Sequence, residues 1–168
     1  MSADFLVEGA PPSDVWHEGG PVAEVWDENR LVWERPGLWR FRTTSSLTGN
    51  GNSYLSVSSV AADTPRTRMD GQRLVVPNKC PDSFSAVIVA SGSVSGGTLP
   101  QSNLRIVHNG ANVSTSGNAS SGSVSTSTTR VLRPGDSIEL QYRGEGQLFN
   151  RPTLAAGATV TVSPVGYV

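Results

Sequence analysis

Cysteine is almost missing from this chain. Cys80 is the only one, which excludes an internal disulfide framework and a cysteine-based zinc site. Histidine is nearly as scarce. His17 and His108 stand alone and far apart, so they form no ligand pair at a useful spacing. Charged residues make up 16% of the chain and hydrophobic ones 36%, both low for a globular domain. The net charge is -1 and the arginines are scattered, which leaves no basic footprint for nucleic acid. No apolar run approaches the roughly 20 residues of a membrane helix, so membrane insertion is not expected. The first residues, MSADFLVEGAPPSD, lack the basic and apolar regions of a secretory signal. Such a chain is expected to be made in a reducing cytoplasm, wherever it finally works.

The motifs of catalysis are missing too. No serine sits in a Gly-x-Ser-x-Gly elbow, and no glycine-rich loop ends in Gly-Lys-Ser/Thr. Asp63, Asp70, Asp82 and Asp136 are isolated, so no calcium loop exists. Glu24, Asp27 and Glu28 cluster at a hairpin tip and read as a solvated turn. His108 lies beside a hairpin turn and reads as an exposed polar residue. Cys80 reads as a small loop residue, although neighbouring Lys79 would raise its reactivity. No catalytic residue, cofactor or metal ligand is expected, and the chain reads as a non-enzyme.

Serine, threonine, glycine and valine fill the gap, and these suit strands and turns. Apolar and polar residues alternate from Trp39 to Thr43, Tyr54 to Val60, Leu104 to His108, Ser137 to Tyr142 and Ala158 to Val162. The most apolar run, Phe84 to Ala90, reads as the central strand. Asn109-Gly110 between two alternating segments is a strong hairpin signal. Arg133-Pro134-Gly135-Asp136 is a sharp turn. Residues 114–129 admit two readings: a mobile surface loop, or a strand over 122–128 that packs closely on a neighbour. Strands recurring with turns between them predict an all-β antiparallel sandwich or jelly roll.

Three of the four tryptophans, Trp16, Trp26 and Trp33, precede that region. Each follows a valine. Gly19-Gly20-Pro21 reads as one turn and Asp27 to Arg30 as another, so two or three short strands are expected. A short segment cannot bury three indoles against itself. They serve as core of a small β-meander or as docking residues on a neighbour. Arg35-Pro36-Gly37 marks a boundary, dividing residues 1–36, an anchoring segment, from 37–168, the sandwich.

The segment Gly20-Pro21-Val22, Val25-Trp26, Leu31-Val32-Trp33 and Pro36 resembles a Trp-rich β segment in structural proteins of tailed phages that infect actinobacteria. The element Val131-Leu132-Arg133-Pro134-Gly135-Asp136-Ser137-Ile138-Glu139-Leu140 is similar to a strand of trimeric virion jelly rolls and of tumour-necrosis-factor and C1q-like domains. These resemblances imply a virion protein, made in the host cytoplasm and assembled as a homo-oligomer, with a trimer favoured. A minor tail or tail-tip protein fits, with other virion proteins as partners. A capsid decoration protein on the major capsid lattice is the alternative. A third reading is a carbohydrate-binding module for a host-surface glycan. Its candidate ligand-facing aromatics are Trp39, Tyr54 and Tyr142, with Tyr167 near the end of the chain, and core packing is the default for most of them.

Overall fold

The computed structural model describes residues 16–17, 20–21, 24–27, 30–34, 36–80, 83–96, 102–146 and 151–167. Four short strands come first: β1 (Trp16–His17), β2 (Gly20–Pro21), β3 (Glu24–Asp27) and β4 (Arg30–Glu34). They form two antiparallel pairs. Gly20 and Pro21 are therefore strand residues opposite His17 and Trp16, rather than the turn expected of them. In the second pair Val25 stands opposite Trp33 and Trp26 opposite Leu31, with a register shift between them. The side chains of Trp16, Trp26 and Trp33 lie outside the described residues.

Short strands open the sandwich: β5 (Trp39–Thr43), β6 (Leu47–Thr48), β7 (Leu55–Ser56), β8 (Val60–Ala62), β9 (Met69–Asp70) and β10 (Arg73–Val75). Longer strands follow: β11 (Phe84–Ser95), β12 (Ser102–His108), β13 (Ala111–Thr115), β14 (Gly122–Leu132), β15 (Ser137–Gly144), β16 (Thr153–Leu154) and β17 (Thr159–Tyr167). No helix occurs among the described residues.

Two sheets result. In the first, β14 flanks β11 on one side, and β17 with β16 flank it on the other. Then β5 and β8 follow β17, while β6 pairs with β16. The second runs β13-β12-β15-β10-β9, with β7 also paired to β15. The chain crosses between the sheets from β11 to β12, from β13 to β14, from β14 to β15 and from β15 to β16, and all pairings are antiparallel. This is the expected sandwich with jelly-roll connectivity.

Alternation explains why these segments become strands and which face each buries. Phe84, Ala86, Ile88 and Ala90 on β11 point inward and are fully buried. Leu104, Ile106, Ile138, Leu140 and Tyr142 meet them from the second sheet. Trp39 packs edge-on against Phe84, with ring centroids 5.7 Å apart. Burying a large apolar side chain contributes about 1.5–3 kcal/mol, so this inter-sheet layer dominates the stability.

The turns obey their residues. Asn109 and Gly110 both have positive φ, 50° and 80°, as a two-residue hairpin of this hand requires. Gly135 has φ 84° and follows Pro134, and the Asp136 N–H donates to the Arg133 carbonyl at 3.0 Å.

Two expectations are corrected. The stretch Tyr54 to Val60 is not one strand. β7 pairs with β15 in one sheet and β8 with β5 in the other, so the chain changes layers between them. Val57 is buried at the crossing and its N–H donates to the Leu140 carbonyl at 3.2 Å. Alternation survives such a crossing, and so gives no sign of it. Of the two readings of 114–129, the strand holds: β14 pairs with β11 from Leu132 to Gly122 without a register break.

Gly92 is a close-packed point of β11. A Cβ there would lie 2.9 Å from Ala158 Cβ and 2.9 Å from Leu154 Cδ1. Gly92→Ala is expected to cost about 1–3 kcal/mol. A lower urea midpoint with an unchanged far-UV spectrum would bear this out.

Candidate functional site

The sandwich offers two outward faces of opposite chemistry. The first belongs to β14, β11 and β17. Its outward positions on β14 are Ser123, Ser125, Ser127, Thr129 and Val131, all exposed. Next to them on β11 come Ser85, Val87, Val89, Ser91 and Ser93. Thr159, Thr161 and Ser163 follow on β17. The ladders align them in rows such as Ser127, Val89 and Thr161. None of these positions carries a charge. The neighbouring β5 adds Arg40 and Arg42, both held by Asp63 at 2.5 and 3.5 Å.

Exposed large apolar residues among the described ones gather on this side. Val89 is 38% exposed, Val131 46% and Val165 61%, and Leu38, just before β5, is 53% exposed. Val165 is the extra residue of a bulge, because Ser85 pairs with Gly166 and Ala86 with Pro164. Proline has no N–H for a ladder and sits well at such a break.

A sheet face turned to water normally carries long charged side chains. Ordering a Lys or Arg at an interface costs up to about 2 kcal/mol of rotamer freedom, whereas small side chains lose much less. A neutral Ser/Thr/Val face can therefore be covered at low entropic cost. Depletion of charge also marks interface cores.

The second face lies outward on β12 and β15. Arg105 stands opposite Gln141 and Asn103 opposite Arg143. The Arg105 guanidinium lies over the Tyr54 ring, 4.0 Å from its centre, and that of Arg143 lies 5.4 Å away. Arg105 Nε donates to Gln141 Oε1 at 2.7 Å. Arg143 donates to Asn103 Oδ1 from Nη2 at 2.8 Å and from Nε at 3.2 Å. Further along, Glu139 accepts from Ser56, Gln141 and Arg73. Burial acts to raise the Glu139 carboxyl, but these donors and the Arg73 charge outweigh it and hold it below its ordinary value.

This geometry sorts the three candidate ligand-facing aromatics. Trp39 and Tyr142 are fully buried, so neither can meet a ligand. Both occupy inward positions of their strands. The Tyr142 hydroxyl is hydrogen-bonded to Ser102 Oγ at 3.2 Å, and burial pushes its ionisation up despite that bond. Tyr54 is only half-buried, with Arg105 over its ring. The side chain of Tyr167 lies outside the described residues. Arg105, Arg143 and Asn103 escaped the sequence reading, because their partners stand on another strand.

His108 is also corrected. It is largely buried and pairs with Asp136 through Nε2 and Oδ2 at 2.9 Å. Asn109 Nδ2 donates to Asp136 Oδ1 at 2.7 Å, and the Arg133 N–H donates to Oδ2 at 2.9 Å. A hairpin turn and an inter-sheet turn distant in sequence are tied together there. Burial acts to raise the Asp136 carboxyl, but the bonds from Asn109, His108 and Arg133 prevail and hold it below its ordinary value.

No family model matches the sequence, and no curated protein matches it. Solved structures do share the fold. Murine APRIL aligns with a TM-score of 0.57 at 10% identity, covering 76% of this chain and 98% of that one. Eiger TNF from S. frugiperda aligns with a TM-score of 0.57 at 8% identity, covering 79% and 94%. The chain therefore has a jelly-roll sandwich like theirs.

Asp136 and Glu139 make acid stability testable. A carboxyl whose ionisation lies lower in the folded state stabilises the fold above its unfolded value. That contribution disappears as pH falls through the folded value. The urea midpoint should thus hold near neutral pH and fall below the ordinary carboxylate range. Asp136→Asn should flatten the fall, and an unchanged profile would remove Asp136 as a source.

Proposed function

We propose that this chain is a non-enzymatic virion structural protein, a minor tail or tail-tip component of a tailed phage that infects actinobacteria. Residues 1–36 anchor it to the particle, and the jelly roll projects outward as a homotrimer. The observation that carries the assembly is the uncharged Ser/Thr/Val face of β14, β11 and β17. The tryptophan-rich segment and its resemblance to phage structural proteins support the anchoring role. The Val131 to Leu140 element, similar to that of trimeric jelly rolls, supports threefold assembly.

Magnitudes set the strength expected of the trimer. Covering the exposed parts of Leu38, Val89, Val131 and Val165 contributes on the order of 1 kcal/mol each. Association costs roughly 4–15 kcal/mol in lost freedom. These four side chains alone barely offset that, so close packing of the whole small-residue face is required. The trimer should accordingly depend on concentration away from the particle.

Light scattering behind a sizing column tests this at millimolar chain concentration. The expected mass is three times the 17.7 kDa chain. Val89→Asp combined with Val131→Asp should give a folded monomer, since both sites already face water. A wild-type monomer at that concentration would reject assembly through this face.

Antibody labelling of purified particles tests the location. Label at the tail tip is expected. Label over the whole capsid, at hundreds of copies, would instead make it a decoration protein, and unlabelled particles would reject the virion role. Full-length protein carrying Trp16→Ala, Trp26→Ala and Trp33→Ala should fold yet fail to join particles.

A further inference from the structure

The face of β12 and β15 is built unlike an ordinary charged surface. Arg105 and Arg143 sit diagonally across two paired strands, on the same side of the sheet. Like charges so placed repel each other. Their guanidiniums are nevertheless brought to one aromatic ring, and the acceptors that orient them are mainly neutral carboxamides. Asn103 is 3% exposed. Its Nδ2 donates to the Ser116 carbonyl at 3.1 Å and to Asn118 Oδ1 at 2.6 Å, which aims its Oδ1 at Arg143. The nearest carboxylate to Arg143 is Glu145, at 3.8 Å. Arg105 has no carboxylate partner among the described residues. Its Nε is used by Gln141, and among the described residues no acceptor takes the N–H groups of its two terminal nitrogens. Two oriented, incompletely neutralised guanidiniums form a preorganised receptor for an oxyanion.

We propose that this face binds an acidic polysaccharide, with the carboxylate of a uronic-acid residue held by Arg105 and Arg143. The surrounding groups favour a sugar over other anions. Asn118 is exposed and offers its carboxamide N–H groups, and Glu145 offers a carboxylate that accepts sugar hydroxyls. Glu139 and Glu145 would repel a densely charged phosphate chain. Tyr54 acts as a support beneath Arg105 rather than as a sugar platform, since the guanidinium already lies over its ring. The site is on the sheet opposite the proposed trimer face, so it stands whether or not the protein belongs to a virion.

Calorimetric titration of the full chain with a hyaluronan hexasaccharide tests the proposal, with maltohexaose and inorganic polyphosphate as controls. Binding of the uronate oligomer is expected, weakened by added salt and absent with the neutral one. Arg105→Gln should weaken it about tenfold, as the loss of charge-assisted hydrogen bonds implies. Arg105→Lys should recover part of the loss. Tyr54→Leu should weaken binding while the urea midpoint of the sandwich changes little. No binding at millimolar hyaluronan hexasaccharide would overturn the proposal. So would affinity unmoved by Arg105→Gln, or equal Arg105-dependent binding of polyphosphate, which would mean an anion site without sugar selection. None of these outcomes bears on the particle labelling, so the two readings fail separately.

Discussion

The register of β11 is the constraint on which the rest depends. This strand is hydrogen-bonded along both sides, to β14 from Phe84 to Val94 and to β17 from Phe84 to Ser91. Its inward residues, Phe84, Ala86, Ile88 and Ala90, form the floor of the core. Its outward residues, Ser85, Val87, Val89 and Ser91, form the middle of the neutral face. A slip of one residue would exchange the two sets. It would place serines against Leu104 and Ile106 and turn Phe84 and Ile88 to water. Core and candidate assembly face are therefore two consequences of one alternation, and neither can be changed alone.

The two sheets then divide the chemistry. On the first, small uncharged side chains make a surface with little rotamer freedom to lose. On the second, arginines, carboxamides and carboxylates are tied into a network across strands. An exposed ion pair by itself contributes little, about 0–1 kcal/mol. The value of the network lies in direction: Asn103 and Gln141 orient guanidiniums that would otherwise sample many rotamers. One face thus suits contact between copies and the other suits a charged ligand, without competition between them.

The ties between distant turns deserve the same physical reading. Asp136 closes the β14–β15 turn through the Arg133 N–H and reaches the β12–β13 hairpin through His108 and Asn109. The Ser137 N–H answers by donating to Asn109 Oδ1 at 2.8 Å. Two local turn preferences are locked to each other by groups that must desolvate together. Elsewhere the core is filled for volume rather than polarity. The Trp39 indole N–H is buried without a hydrogen-bond partner among the described residues, so this side chain contributes through area and its contact with Phe84.

Much of the fold was legible because its signals are local. Period-two alternation marked β11, β12, β15 and β17. Asn109-Gly110 and Pro134-Gly135 marked their turns, since few residues tolerate positive φ. The same locality explains the misses. Alternation could not show that the chain changes sheets between Leu55 and Val60, nor that residues 122–132 find a full-length partner in β11. It placed Trp39 and Tyr142 on strands without saying that both face inward. The sequence by itself determined an all-β chain, its turn chemistry and its dearth of reactive groups, because these follow from backbone preferences and residue types. Only the tertiary structure decided which strands share a sheet, that the Ser/Thr/Val positions make one continuous face, and that Arg105, Arg143, Asn103 and Tyr54 converge. Those depend on pairing between residues far apart in the chain, whose energy is spread over whole ladders and leaves no mark on any short segment.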